Sequence, residues 1–69
     1  MESVNPNVLV IKEHVKTAVD ELLRRGYTYD ESKYRVWDRV REVLNKSYGE
    51  CEESDIPTVR VAIELLLQE

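Results

Sequence analysis

Apolar residues recur at steps of three and four along this chain, the spacing that places side chains on one face of an α-helix. The three series are Val8, Ile11, Val15, Ala18 and Leu22; Trp37, Val40 and Leu44; and Ile56, Val59, Ala62, Ile63 and Leu66. They predict an all-α fold, a compact three-helix bundle with helices at about residues 6–25, 30–46 and 56–68. The β-branched run Val8–Ile11 also suits a strand, but a lone strand would have no partner, so we favour helix there.

Helix start and stop signals stand at the predicted boundaries. Asn5 followed by Pro6 is typical of an N-cap and a first helical position. Gly26 is suited to end the first helix in a left-handed turn. Thr28 and Glu31 have the spacing of a capping box for the second helix, with Asp30 as the competing cap. The second helix should end near residue 46, before the chain's second glycine, Gly49, and we expect both glycines to terminate helices.

The length and composition indicate one soluble helical domain, residues 1–69. Of the 69 residues, 42% are hydrophobic and 35% charged, with a net charge of −4, as in ordinary globular proteins. So short a chain buries a small core, and its single cysteine cannot form an internal disulfide. The chain has no membrane-spanning stretch and no signal-peptide pattern, and with an unpaired cysteine we expect a cytoplasmic protein.

Residues that could support catalysis are few. Nucleophilic catalysis needs a nucleophile, a base and an orienting group, and the only histidine and cysteine are His14 and Cys51. The acidic run 50–55 lacks the spacing of a calcium loop. It is typical of a solvated connection in which Ser54 or Asp55 caps the third helix. We expect no enzyme, no cofactor and no metal site.

The third segment carries more apolar residues than its inward stripe requires. A helix that is apolar around most of its circumference is mostly buried, and two neighbouring helices can cover only part of it. The surplus residues there and at the start of the first helix are Leu9, Val10, Val61, Leu65 and Leu67. We interpret them as a protein interface. It would serve a homo-oligomer, most simply a dimer that completes the bundle, or a protein client.

Two alternatives use the charges instead. Aromatic and basic residues alternate near the second helix, a composition suited to stacking bases and holding phosphates. The candidate nucleic-acid contacts are Tyr27, Tyr29, Lys33, Arg35 and Arg39. Residues 50–69 hold six acidic side chains against one arginine, a net charge of −5. The second alternative is that this segment mimics nucleic acid and occupies a basic groove of a partner.

The order of signals resembles that of ubiquitin-associated three-helix domains. The residues that carry it are Leu22–Tyr27, then a helix, then Val61–Leu66. The resemblance implies a three-helix fold whose Gly-aromatic loop and leucine-rich third helix bind a protein. Here Arg25 stands where the family has a methionine before the glycine, and the second helix is longer, so the resemblance does not assign the chain to that family.

Overall fold

The computed structural model describes residues 5–46 and 48–69. Its three α-helices are α1 (Pro6–Arg24), α2 (Tyr29–Leu44) and α3 (Asp55–Leu67), with a short 3₁₀ turn at Tyr48–Glu50. The described residues contain no strand, which confirms the all-α three-helix bundle. The boundaries lie within two residues of those expected, the ordinary scatter at helix ends. The run at 8–11 is helical, as we favoured.

The first two helices begin with the caps that the sequence predicts. The Asn5 side-chain oxygen accepts a hydrogen bond of 2.9 Å from the backbone N–H of Asn7. The Thr28 hydroxyl accepts one of 3.2 Å from the backbone N–H of Glu31, so Thr28 rather than Asp30 is the cap of α2. Each bond satisfies a backbone donor that the first helical turn leaves unpaired.

Gly26 ends α1 in a Schellman motif. Its φ of 99° is one that only glycine adopts without strain. Its N–H donates to the Leu23 carbonyl, and the N–H of Tyr27 donates to the Leu22 carbonyl, the two bonds that define the motif. The Tyr27 ring packs against the core, so this turn also fixes the entry into α2.

Asn45, and not a glycine, ends α2. We expected the second glycine, Gly49, to play that part, and this was wrong. Asn45 takes the left-handed conformation with φ 49° and ψ 39°, and its N–H donates to the Arg41 carbonyl. Asparagine tolerates this conformation better than other side chains do, so the helix stops two residues earlier than expected.

The core lies where the inner faces of the three helices meet, and each helix contacts the other two. Each contributes one large apolar side chain with no exposed surface: Ile11, Val36 and Val59. The buried cluster is Val8, Ile11, Val15, Ala18, Val19, Leu22, Val36, Val40, Cys51, Val59, Ile63 and Leu66. Ser32 is also fully buried. Its hydroxyl donates to the Thr28 carbonyl at 2.8 Å, which removes the cost of burying it.

The connection between α2 and α3 is not wholly solvated, contrary to our expectation. Cys51 is only 3% exposed and belongs to the core cluster. Its backbone carbonyl accepts hydrogen bonds from the side-chain amides of Asn5, at 2.8 Å, and Asn7, at 3.4 Å. The connection is thereby attached to the N-terminal end of α1, which fixes where α3 begins.

Replacing Gly26 by alanine should destabilise the fold by about 1–2 kcal/mol, because the added Cβ forces a side chain into a left-handed conformation. At Gly49, where φ is not in that region, the same change should cost less than about 0.5 kcal/mol. An added Cβ meets no atom within 4 Å at either position, so backbone strain is the only difference in the folded state. Urea unfolding followed by circular dichroism compares the two variants. Equal losses would contradict the assignment.

Candidate protein-interaction site

The outer face of α3 presents two adjacent apolar side chains. Val61 and Leu65 are each 54% exposed and lie four residues apart, so they share one face of the helix. That face points away from the stripe of α3 that enters the core. We call Val61 and Leu65 the α3 ridge.

The other three residues of the expected interface do not extend this ridge. Leu67 is partly buried and packs against the core. Leu9 is 50% and Val10 39% exposed, but both belong to α1. Because they are consecutive, their side chains point about 100° apart around the helix. Of the five residues, only Val61 and Leu65 share one exposed face of a single helix.

A groove of about 390 Å³ runs between α1 and α2 on the outside of the bundle. Among the described residues, its lining is Lys12, Val15, Lys16, Val19, Asp20, Tyr29, Lys33 and Trp37. Three lysines and one aspartate give this lining a net charge of +2, in a chain whose total is −4. The buried Val15 and Val19 form an apolar floor. We call this surface the lysine groove.

Leu9 continues the α1 side of the lysine groove. It precedes Lys12 by three residues and Lys16 by seven, the spacings that keep side chains on one face. Val10 instead precedes His14 by four and lies on a different side of α1. Of the two exposed α1 residues that the sequence predicts for an interface, Leu9 thus lies on the side of α1 that carries the groove lysines, and Val10 does not.

Trp37 separates the lysine groove from a second hollow of about 430 Å³ on α2. Both hollows include Trp37 and Lys33, and the second also includes Val40 and Leu44. We placed Trp37 on the inward stripe of the second helix, and its ring is only partly buried against the core. A half-buried tryptophan beside cations is typical of the residues that dominate binding at protein interfaces.

The expected nucleic-acid contacts do not share a face. Lys33 and Arg35 are two residues apart, so they lie on nearly opposite sides of α2. Lys33 lies 6.0 Å from the Tyr29 ring centre, at the lysine groove. The Arg35 guanidinium lies over the Tyr27 ring, 4.9 Å from its centre. These cations already have partners within the bundle.

Arg39 is also paired. Its guanidinium donates a 2.8 Å hydrogen bond to the Glu69 carboxylate. That bond and the charge of Glu69 raise the pKa of Arg39 above its usual value. The interaction joins the middle of α2 to the end of α3. A phosphate that approached Arg39 would have to displace this carboxylate.

The cysteine is not in an environment that activates a thiol. Burial in the core raises the pKa of the Cys51 thiol, and the nearby Asp55 carboxylate raises it further. Reactive cysteines have a lowered pKa and partial exposure. Among residues 5–46 and 48–69, no group of three or more His, Cys, Asp and Glu side chains is placed to hold a metal ion.

A polar cluster fixes the start of α3. The Asp55 carboxylate accepts a 2.8 Å hydrogen bond from the backbone N–H of Glu52 and a 3.0 Å bond from Lys46 Nζ. These two bonds, in that order, lower the pKa of Asp55. The hydrogen bond that Lys46 donates to Asp55 raises the pKa of Lys46. Ser54 precedes the helix without a side-chain capping bond, so neither expected residue caps α3 in the usual way.

Comparisons with known proteins place the chain in no family. No family model matches it, and neither a curated protein nor a solved structure is significantly similar to it. In the described part of the chain, no helix has the length and apolarity needed to cross a membrane.

The Asp55 cluster should make stability depend on pH in acid. Because the folded state lowers the pKa of Asp55, its contribution is complete above the unfolded value of about 3.9 and is lost as the pH falls through the folded value. Between pH 7 and pH 2, Asp55→Asn should therefore lose less unfolding free energy than the unaltered protein. Urea unfolding at both pH values measures this. Glu53→Gln, which removes an exposed carboxylate nearby, is the control. Equal losses for Asp55→Asn and the unaltered protein would contradict the role of the cluster.

Proposed function

We propose that this protein is a small non-enzymatic protein–protein interaction module that associates with copies of itself. The observation that carries the proposal is the α3 ridge, Val61 and Leu65, each 54% exposed on one helix face. Single exposed apolar residues are common and need no explanation. Two adjacent ones on a helix of so small a domain favour a contact surface. The ridge would also suit a larger protein client as its binding partner.

The ridge alone supplies only part of the free energy that an association requires, so we expect a weak association. Full burial of a valine or leucine side chain contributes about 1.5–3 kcal/mol, and here about half of each side chain remains exposed. Part of the gain is offset by the lost freedom of two separate molecules. We therefore propose an association that is reversible and depends on protein concentration. We place it in the cytoplasm, because a buried reduced thiol suits a reducing compartment.

The nucleic-acid alternative has less support than self-association. Arg35 and Arg39 have internal partners, and Lys33 lies on another side of α2. A sequence-independent nucleic-acid surface requires several cations on one face, and the three cations named for this alternative, Lys33, Arg35 and Arg39, do not share one. The hypothesis that the acidic segment 50–69 mimics nucleic acid is supported only by its composition. Two of its carboxylates, those of Asp55 and Glu69, already pair with Lys46 and Arg39 within the bundle.

Replacing both ridge residues by glutamine should weaken self-association by about 100-fold or more while the bundle stays folded, because exposed positions contribute little to the core. Sedimentation equilibrium at roughly 10–500 µM spans the affinities expected for a small interface. The control is Val43→Gln, which alters an exposed valine of α2 outside the ridge. Circular dichroism checks that all variants remain helical.

Two results would oppose the proposal. One is an unaltered protein that is monomeric throughout this concentration range. The other is a double variant that associates as strongly as the unaltered protein. Loss of association in the Val43→Gln control as well would indicate that general destabilisation, and not the ridge, is responsible.

A further inference from the structure

The α3 ridge and the lysine groove lie on opposite sides of the bundle. The three helices contact one another pairwise, so their cross-section is a triangle. The groove is lined by residues of α1 and α2, and the ridge faces away from the core on α3. One copy of the chain therefore carries a raised apolar surface on one side and a recessed surface on the other.

Contact between two α3 ridges would be small. The helix has 13 residues, a length of roughly 20 Å at 1.5 Å per residue. A single helix face about 10 Å wide buries on the order of 400 Å² over both copies, below the ~1,000 Å² that a stable interface needs. Such a contact would also bring the Glu64 carboxylates of the two copies near each other, because Glu64 lies three residues from Val61 and next to Leu65.

The lysine groove fits the ridge better in shape and in charge. Its apolar floor and the Trp37 ring would cover the ridge from two helices instead of one. Lys16 and Lys33 at its edges would face Glu64, the exposed carboxylate next to Leu65. Opposite charges at the edge of an apolar contact fix its orientation and speed encounter.

We propose that the ridge of Val61 and Leu65 in one copy docks into the lysine groove of a second copy, against Trp37. This inference rests on the self-association proposed above and specifies its partner surface. Because ridge and groove are different surfaces on opposite sides, the contact is heterologous. Each added copy leaves one ridge and one groove free, so assembly continues into chains or closes into a ring.

Two variants separate this arrangement from pairing of ridges. The first variant, Lys16→Glu with Lys33→Glu, reverses the net charge of the lysine groove and leaves the ridge intact. The second, Leu65→Lys, alters the ridge and leaves the groove intact. Each variant alone should associate at least about tenfold more weakly than the unaltered protein. An equimolar mixture should restore association as a 1:1 complex that grows no further, because the only intact ridge meets the only intact groove. Sedimentation velocity measures all three samples.

A matched control tests for a general effect of charge. Arg24→Glu with Arg25→Glu makes the same change in net charge at the C-terminal end of α1. Arg24 and Arg25 do not line the groove, and both contact Glu21. This control should associate about as the unaltered protein does. Circular dichroism should show the same helical content for all variants, since Lys16 and Lys33 are exposed.

The sign of the charge at position 65 gives an independent test. In the lysine groove, Leu65→Lys should weaken association more than Leu65→Glu, because lysine would face lysines. In ridge-to-ridge pairing the order should reverse, because Glu64 of the second copy would attract a lysine and repel a glutamate.

The results distinguish the two proposals. If the groove variant associates normally while Leu65→Lys does not, and the mixture recovers nothing, the groove is not the partner surface but self-association stands. A dimer that never grows into a larger assembly would likewise exclude the groove as the partner surface and leave self-association standing. If the unaltered protein is monomeric at every concentration, self-association itself fails, and the groove inference fails with it.

Discussion

The structure depends on the mutual burial of three apolar stripes in a chain too short to bury more. Ile11, Val36 and Val59 reach zero exposure because each helix turns its stripe toward the other two. Within residues 5–46 and 48–69 no fourth α-helix supplements this core, and a single cysteine cannot form an internal disulfide. Apolar residues on the opposite side of α3 therefore have nothing within the described bundle to cover them, which leaves the ridge at the surface.

Polar contacts fix α3 in the orientation that exposes the ridge. The Cys51 carbonyl binds the side chain of Asn5, which ties the connection to the start of α1. Asp55 binds Lys46 at one end of α3, and beyond its other end Glu69 binds Arg39 of α2. The Arg39–Glu69 pair, whose carboxylate is exposed, contributes little to stability by itself. Held at both ends, however, α3 presents a surface that loses little freedom on binding, which favours association.

The helices could be predicted from sequence because their stripes, caps and Gly26 are local signals. Three features could not be predicted in that way. Ser32 has a polar side chain, yet it is fully buried, because its hydroxyl donates a hydrogen bond to the backbone carbonyl of Thr28. Asn45 ends α2 two residues early because a left-handed asparagine competes with continued helix. Cys51 lies in an acidic segment, and only the packing of that segment against α1 buries it.

The interaction surfaces were predictable only in part. Helical spacing alone predicts that Leu9 and Val10 lie on different faces of a helix, as do Lys33 and Arg35. It also predicts that Lys12 and Lys16 share a face. That Lys33 faces those two lysines depends on how α1 and α2 pack, which no local pattern encodes. The lysine groove also affects the electrostatic interaction between two copies of the chain. Copies with a net charge of −4 repel one another at long range. A local region of opposite sign therefore favours self-association, and the lysine groove provides one between α1 and α2.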